Sequence, residues 1–178
     1  MKKIAIVDLL SVVLILVLGT YVFRMQERIA RLELVARGAG DALESASLLP
    51  MPAVALGGKQ VTIERGQPRL IFYMSPHCGV CTHNMPIWGS IANQVGRDHT
   101  LFVLGNPKEA PLMPAYLAKY GLSGFSAVTA DSETVNRYYM TTVPKTVLVN
   151  ADGTVLKVWR GAVTAGEILQ GWASIVKQ

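Results

Sequence analysis

The sequence predicts an α/β sandwich behind an apolar N-terminal segment, and three observations carry that reading. From residue 61 onward, short strand-like and helix-like segments alternate, and the series closes on a hairpin and a helix. Cys78 and Cys81, the only cysteines, stand where a strand hands over to a helix. Ile4 to Phe23 is almost unbroken hydrocarbon, interrupted by Asp8 and preceded by Lys2 and Lys3.

Twenty helical residues span about 30 Å, the thickness of a bilayer core, so residues 1–23 are expected to form a transmembrane anchor. A cleaved signal is the competing reading. Against it, Tyr21, Val22 and Phe23 continue the apolar run past Val17-Leu18-Gly19, and no lipid-acceptor cysteine is present. Arg24 to Ala36 reads as a continuing helix, with Met25, Ile29, Leu32 and Ala36 on one face. Gly38, Gly40, Pro50 and Pro52 mark a linker, which makes residues 24–50 a juxtamembrane helix and linker and residues 51–178 the folded domain. Counted plainly, Arg24, Arg28, Arg31 and Arg37 would hold that domain in the cytosol. Large downstream domains translocate regardless of such charges, and a dithiol tied to a membrane suits a compartment where disulfides form. The expectation is therefore a single-pass protein with its domain outside the cytosol.

Within the domain, Val61–Ile63 is expected as a short strand after a Gly57-Gly58 turn, and Arg69–Tyr73 as a buried strand. Met85, Ile87, Trp88, Ile91, Ala92 and Val95 recur at helical spacing and predict a helix over Cys78–Val95. A strand is expected over Thr100–Leu104 and a helix over Ala110–Tyr120, followed by a strand at Ser126–Thr129 and a helix at Ser132–Tyr139. Lys145–Val149 and Thr154–Trp159 read as a hairpin around Asn150-Ala151-Asp152-Gly153. Thr164 and Glu167 make a capping box for a last helix, whose apolar face is Ile168, Leu169, Trp172, Ile175 and Val176.

A structural zinc site needs four ligands, and no second C-x-x-C is present. At a helix start, unpaired backbone N–H groups and the helix dipole stabilise a thiolate on the first cysteine, so the pair reads as redox-active. A purely structural disulfide there would close too small a loop to add much stability. The net charge of +5 is spread without a basic stripe interleaved with aromatics, so nucleic acid is not an expected partner.

The order of elements is that of thioredoxin, and residues 51–178 resemble the TlpA-like branch of membrane-anchored bacterial thiol-disulfide oxidoreductases. The resemblance is carried by Leu56-Gly57-Gly58-Lys59-Gln60-Val61-Thr62-Ile63, by Phe72-Tyr73-Met74-Ser75-Pro76-His77-Cys78-Gly79-Val80-Cys81, and by Thr142-Val143-Pro144-Lys145-Thr146-Val147-Leu148-Val149-Asn150-Ala151-Asp152-Gly153. With its anchor and arginine-rich helix, the layout is also similar to the thioredoxin-like accessory protein of methylamine dehydrogenase maturation. The resemblance implies a three-layer sandwich, a central mixed sheet flanked by helices. It implies Cys78 as nucleophile, Cys81 as resolving cysteine, Pro144 as the cis-proline that packs against the disulfide, and Pro86 as the helix-kinking proline. No cofactor or metal is implied. The implied partners are client proteins with thiols or disulfides, a membrane redox partner as electron donor, and the bilayer around residues 4–23 of a bacterial inner membrane. Most anchored relatives act as reductants in cytochrome c biogenesis or cofactor maturation.

The chain departs from the pattern at several positions. His77 stands where a tryptophan is usual, Val80 where thioredoxins have proline, Asn84 where many TlpA-like proteins have glutamate, and Phe72 where thioredoxin has a buried acid. The proton acceptor for Cys81 is therefore unassigned. His77 and His83 are candidates for proton transfer or pKa tuning, against the plain reading of both as exposed polar residues on the first turn. Two other functions use the same residues. Cu(I) prefers soft thiolates, so Cys78, Cys81 and a histidine would suit a metallochaperone. Ser75, three residues before Cys78, has the spacing found in peroxiredoxins, although Ile71 occupies their companion proline position.

Overall fold

Side chains alternate across the central strands, and this alternation builds two cores at once. In the computed structural model, which describes residues 18–26, 43–44, 46–137, 140 and 142–176, Arg69–Met74 forms β3. Leu70, Phe72 and Met74 enter one apolar cluster, while Ile71 and Tyr73 enter the other. Successive residues of a strand point to opposite faces, so a strand buried on both faces must be apolar throughout.

The remaining strands are β1 (Met51–Ala55), β2 (Gln60–Ile63), β4 (Thr100–Leu104), β5 (Ser126–Ala130), β6 (Lys145–Val149) and β7 (Val155–Arg160). They form one seven-stranded mixed sheet in the order β2-β1-β5-β4-β3-β6-β7. β3 runs parallel to β4, with Met74 opposite Leu104, and antiparallel to β6, with Tyr73 opposite Lys145. One face is covered by α1 (Gly79–Val95), α2 (Met113–Lys119) and α4 (Ala165–Val176), through Met85, Trp88, Ile91, Met113, Leu117 and Ile168. The other face packs against Leu43, Leu48, Leu49 and Met140, with Val135 of α3 (Ser132–Arg137) at its margin. This is the expected thioredoxin-like sandwich.

Three local expectations change. β1 is a strand for which the sequence offers no expectation, since Pro50 and Pro52 mark the end of the linker there. Pro52 is tolerated because β5 pairs with β1 only at Ala53–Ala55, leaving the position of the missing N–H free of that neighbour. The helix expected over Ala110–Tyr120 divides into a 3₁₀ segment, Pro107–Leu112, and α2, because Pro111 cannot donate the bonds of a continuous helix. The last residues of the 24–50 linker also belong to the domain core: Leu43, Leu48 and Leu49 are buried, and Ser47 bridges Thr154.

Residues 1–39 form a separate compact unit from residues 40–178. Residues 18–26 are helical. Positions 4–17 of the expected anchor, and the arginine-rich helix beyond residue 26, lie outside the described residues. Among the described residues, no helix is long and apolar enough to cross a membrane.

Gly153 joins the N-terminal segment to the β6–β7 hairpin. Its φ is +92°, and its carbonyl accepts from the N–H groups of Leu48 at 2.8 Å and Leu49 at 3.3 Å. A Cβ there would lie 2.6 Å from the Leu49 carbonyl oxygen. Gly153→Ala should therefore cost about 1–3 kcal/mol, from steric displacement and from the left-handed backbone. Urea denaturation measures this, and an unchanged midpoint would contradict the packing described.

Candidate active site

α1 begins where β3 ends, and Cys78 is its N-cap with extended backbone, φ −85° and ψ 116°. Ser, Thr, Asp or Asn usually fills this position. Here the thiol does so, because the Cys78 sulfur accepts the Cys81 N–H at 3.2 Å. One of the four orphan donors of the helix start is thereby directed at the sulfur, the arrangement that favours negative charge on it. The preceding turn is held by the Cys78 N–H donating to the Ser75 carbonyl at 3.1 Å and the His77 N–H donating to Ser75 Oγ at 3.2 Å.

The two cysteines differ sharply in surroundings. Both are free thiols, Cys78 half-buried and Cys81 buried. Burial, reinforced by the hydrogen bond to the Cys78 side chain and opposed by the Ser75 backbone, pushes the Cys81 thiol up to about 12. Cys78 is therefore the more accessible of the two sulfurs, and Cys81 the one that holds its proton.

Pro144 is buried, and the Val143–Pro144 bond is cis, as the resemblance implies. Val143 packs against the same cluster as Cys78. The Pro144 carbonyl accepts from the Gly161 N–H at 3.1 Å. The Gly161 carbonyl in turn accepts from Asn84 Nδ2 at 2.8 Å, and Asn84 Oδ1 accepts from the Val163 N–H at 3.3 Å. Asn84 is thus a fully buried clamp between α1 and the loop after β7. His77 and His83 are both exposed, and among the described residues neither ring has a hydrogen-bond partner. Among the described residues, no group of three or more His, Cys, Asp or Glu is placed to hold a metal ion.

Phe72, at the position of thioredoxin's acid, stacks on Trp88 with ring centroids 5.1 Å apart and touches Phe102 at 5.2 Å. The acid that does approach the motif comes from elsewhere. Ser75 Oγ donates to Glu109 Oε1 at 3.1 Å, while Glu109 Oε2 is buried with no hydrogen-bond partner. On the other side of the cysteines, Thr82 Oγ1 and the Tyr116 hydroxyl lie 3.1 Å apart. Burial and then the Glu109 charge push the Tyr73 phenol up to about 12. Burial and then Arg160 bring the Lys145 ammonium down to about 8. Sequence reasoning missed Glu109 and Tyr116, although the parallel pairing of β3 with β4 was the available signal. Loops that follow adjacent parallel strands emerge at the same edge of the sheet.

The thiol asymmetry has a direct consequence for alkylation. A pKa raised from 9 to about 12 keeps the Cys81 proton in place across the interval where an ordinary cysteine ionises. Iodoacetamide at pH 8–9 should therefore add one carboxamidomethyl group per native chain, at Cys78. Cys81 should react only as the pH approaches 12 or after unfolding. Mass spectrometry showing equal labelling of both cysteines at pH 8 would contradict the assignment.

No protein-family model matches the sequence, and no curated protein does. Solved structures match in fold. DsbF of Mycobacterium tuberculosis, solved in mixed oxidised and reduced forms, superposes with a TM-score of 0.61 at 22% identity, covering 73% of this chain and 98% of that one. A secreted Mycobacterium tuberculosis disulfide oxidoreductase homologous to Escherichia coli DsbE gives 0.59 at 21% identity, covering 71% and 97%. A thioredoxin-family thiol:disulfide interchange protein of Chlorobium tepidum gives 0.58 at 16% identity, covering 71% and 94%. The likeness is one of fold, and on that fold this chain carries the Cys78–Cys81 pair at the start of α1.

Proposed function

We propose that this chain is a membrane-anchored thiol-disulfide oxidoreductase that exchanges disulfides with extracytoplasmic client proteins, as a reductant in protein or cofactor maturation. The observation that carries the reading is the asymmetry of the pair, an N-capping half-buried Cys78 beside a buried Cys81 that holds its proton. The Cys78 thiolate attacks one sulfur of a client disulfide, and the other client sulfur leaves as a thiolate. The Cys81 sulfur, having lost its proton, then attacks Cys78. The mixed disulfide breaks, the second client sulfur leaves, and the two electrons gained by the client appear as the Cys78–Cys81 bridge. A membrane dithiol donor resets the pair by the same steps in the opposite sense.

Support for the anchor is the apolar run Ile4–Phe23 together with the side chains of the helical residues 18–26, of which Leu18, Tyr21, Val22, Phe23 and Met25 are exposed large apolar groups. Apolar exposure on this scale is what a lipid environment would cover. Membrane attachment also favours the extracytoplasmic side, where client disulfides persist.

Trapping tests the chemistry. Cys81→Ser should accumulate mixed disulfides with clients through Cys78, and Cys78→Ser few or none, on non-reducing gels. In wild-type cells quenched with acid and alkylated, the pair should be found mostly reduced. Equal trapping by the two variants would overturn the roles, and a mostly oxidised pair would reverse the direction.

Topology is tested separately. Alkaline phosphatase fused after Gln178 should be active, and the full chain should sediment with membranes. An inactive fusion would place the domain in the cytosol.

A further inference from the structure

The turn that carries Cys78 out of β3 is closed at two points by one residue. The Ser75 carbonyl accepts the Cys78 N–H at 3.1 Å, and Ser75 Oγ accepts the His77 N–H at 3.2 Å. Both bonds stay within the turn. A third leaves it: Ser75 Oγ donates to Glu109 Oε1 at 3.1 Å, across 34 positions of the chain. A hydroxyl has one proton, so giving it to Glu109 leaves the lone pairs to face the His77 N–H.

Glu109 reaches the turn from a fixed base. β4 runs parallel to β3, and a Cβ at Gly105 would collide with the Tyr73 hydroxyl, so the chain leaving β4 passes hard against the end of β3. Asn106 then caps the 3₁₀ segment Pro107–Leu112. Its Oδ1 accepts the Lys108 N–H at 3.1 Å, and its carbonyl accepts the Glu109 N–H at 3.0 Å. The Glu109 side chain bonds to Ser75 through Oε1, while Oε2 is buried with no partner among the described residues. Burying an unsatisfied acceptor is costly, so this acid is poorly placed for stability alone.

We infer that Glu109 is a positioning residue for the nucleophile: through Ser75 it pins the turn that presents Cys78. This rests on the disulfide-exchange reading above. The Cys78 sulfur accepts the Cys81 N–H at 3.2 Å, and a thiolate on Cys78 keeps that donor only while the turn holds its place. A reacting group displaced by about 1 Å can lose up to about a hundredfold in rate. Glu109 transfers no proton in this role.

Two substitutions separate the hydrogen bond from the charge. Glu109→Asp keeps the charge on a side chain one methylene too short for Ser75. Glu109→Gln keeps an oxygen within reach and removes the charge. Stopped-flow reaction of the reduced full chain in detergent with dithiobis-nitrobenzoate reads the attack. The first thionitrobenzoate leaves as Cys78 forms a mixed disulfide with the probe, and the second as Cys81 closes the bridge and displaces it. Glu109→Asp and Ser75→Ala should each slow the first release about tenfold. The double variant should be no slower than the worse single one. Glu109→Gln should stay within about threefold of the wild type, because a neutral acceptor keeps the bond in weaker form.

Equilibration with glutathione supplies a readout that a loss of stability common to both redox forms would not move. Only the reduced pair carries a thiolate for the turn to stabilise. Glu109→Asp should therefore shift the equilibrium about fivefold toward the Cys78–Cys81 disulfide, a potential about 20 mV lower. An unchanged first release in Glu109→Asp, a Glu109→Gln as slow as Glu109→Asp, or additive slowing in the double variant would each overturn the tether. A wild-type chain that releases no second thionitrobenzoate would instead overturn the disulfide-exchange reading itself.

Discussion

The site depends on β3 being central and buried on both faces. A strand paired on one side in parallel and on the other antiparallel brings three different connections to its C-terminal end: its own turn into α1, the loop that follows β4, and the proline that precedes β6. Phe72, Tyr73 and Met74 are all buried, so a one-residue shift of register would move each side chain into the core built for the opposite face. Everything chemical that follows, from the N-capping sulfur to Pro144, is placed relative to that fixed end.

A second constraint ties these connections to each other. Asn84 on the second turn of α1 donates to the Gly161 carbonyl, and the Gly161 N–H donates to the Pro144 carbonyl. The cysteine helix and the proline loop are therefore joined through one glycine whose φ of +74° suits few other residues. Asn84 is fully buried, and an amide satisfies both a donor and an acceptor there without bringing a charge into the interior. A glutamate in this position would carry only acceptors when ionised. The clamp accounts for the asparagine physically, and it removes this position from the proton chemistry.

The same trade is made on β3. With Phe72 stacked on Trp88 and tilted against Phe102, the interior beside Cys81 holds an aromatic cluster, and Trp88 donates its one N–H to Thr146 Oγ1 at 3.0 Å. Offset or tilted aromatic pairs of this kind add about 0.5–1.5 kcal/mol beyond their buried area. The stability gained comes with the loss of a carboxylate under the sulfurs. The remaining acid, Glu109, reaches the site sideways across the sheet edge, through the hydroxyl of Ser75.

Much of the architecture was legible along the chain because its causes are local. Period-two and period-3.6 patterning located β3, β4, β6 and α1, and a capping box located α4, where the Thr164 hydroxyl lies 2.6 Å from Glu167. The C-x-x-C at a strand-to-helix junction is likewise a local signal, and it specified which two sulfurs matter. What the sequence could not determine by itself were contacts between residues far apart in number. Pro52 disguised an interior strand whose proline faces no ladder bond, and Leu48 and Leu49 are tied down by a glycine carbonyl about a hundred residues away. Asn84 meets Gly161 across 77 positions and Ser75 meets Glu109 across 34. Propensity and spacing act within a turn or a strand pair, whereas these partners are brought together only when the sheet order sets which loops share an edge.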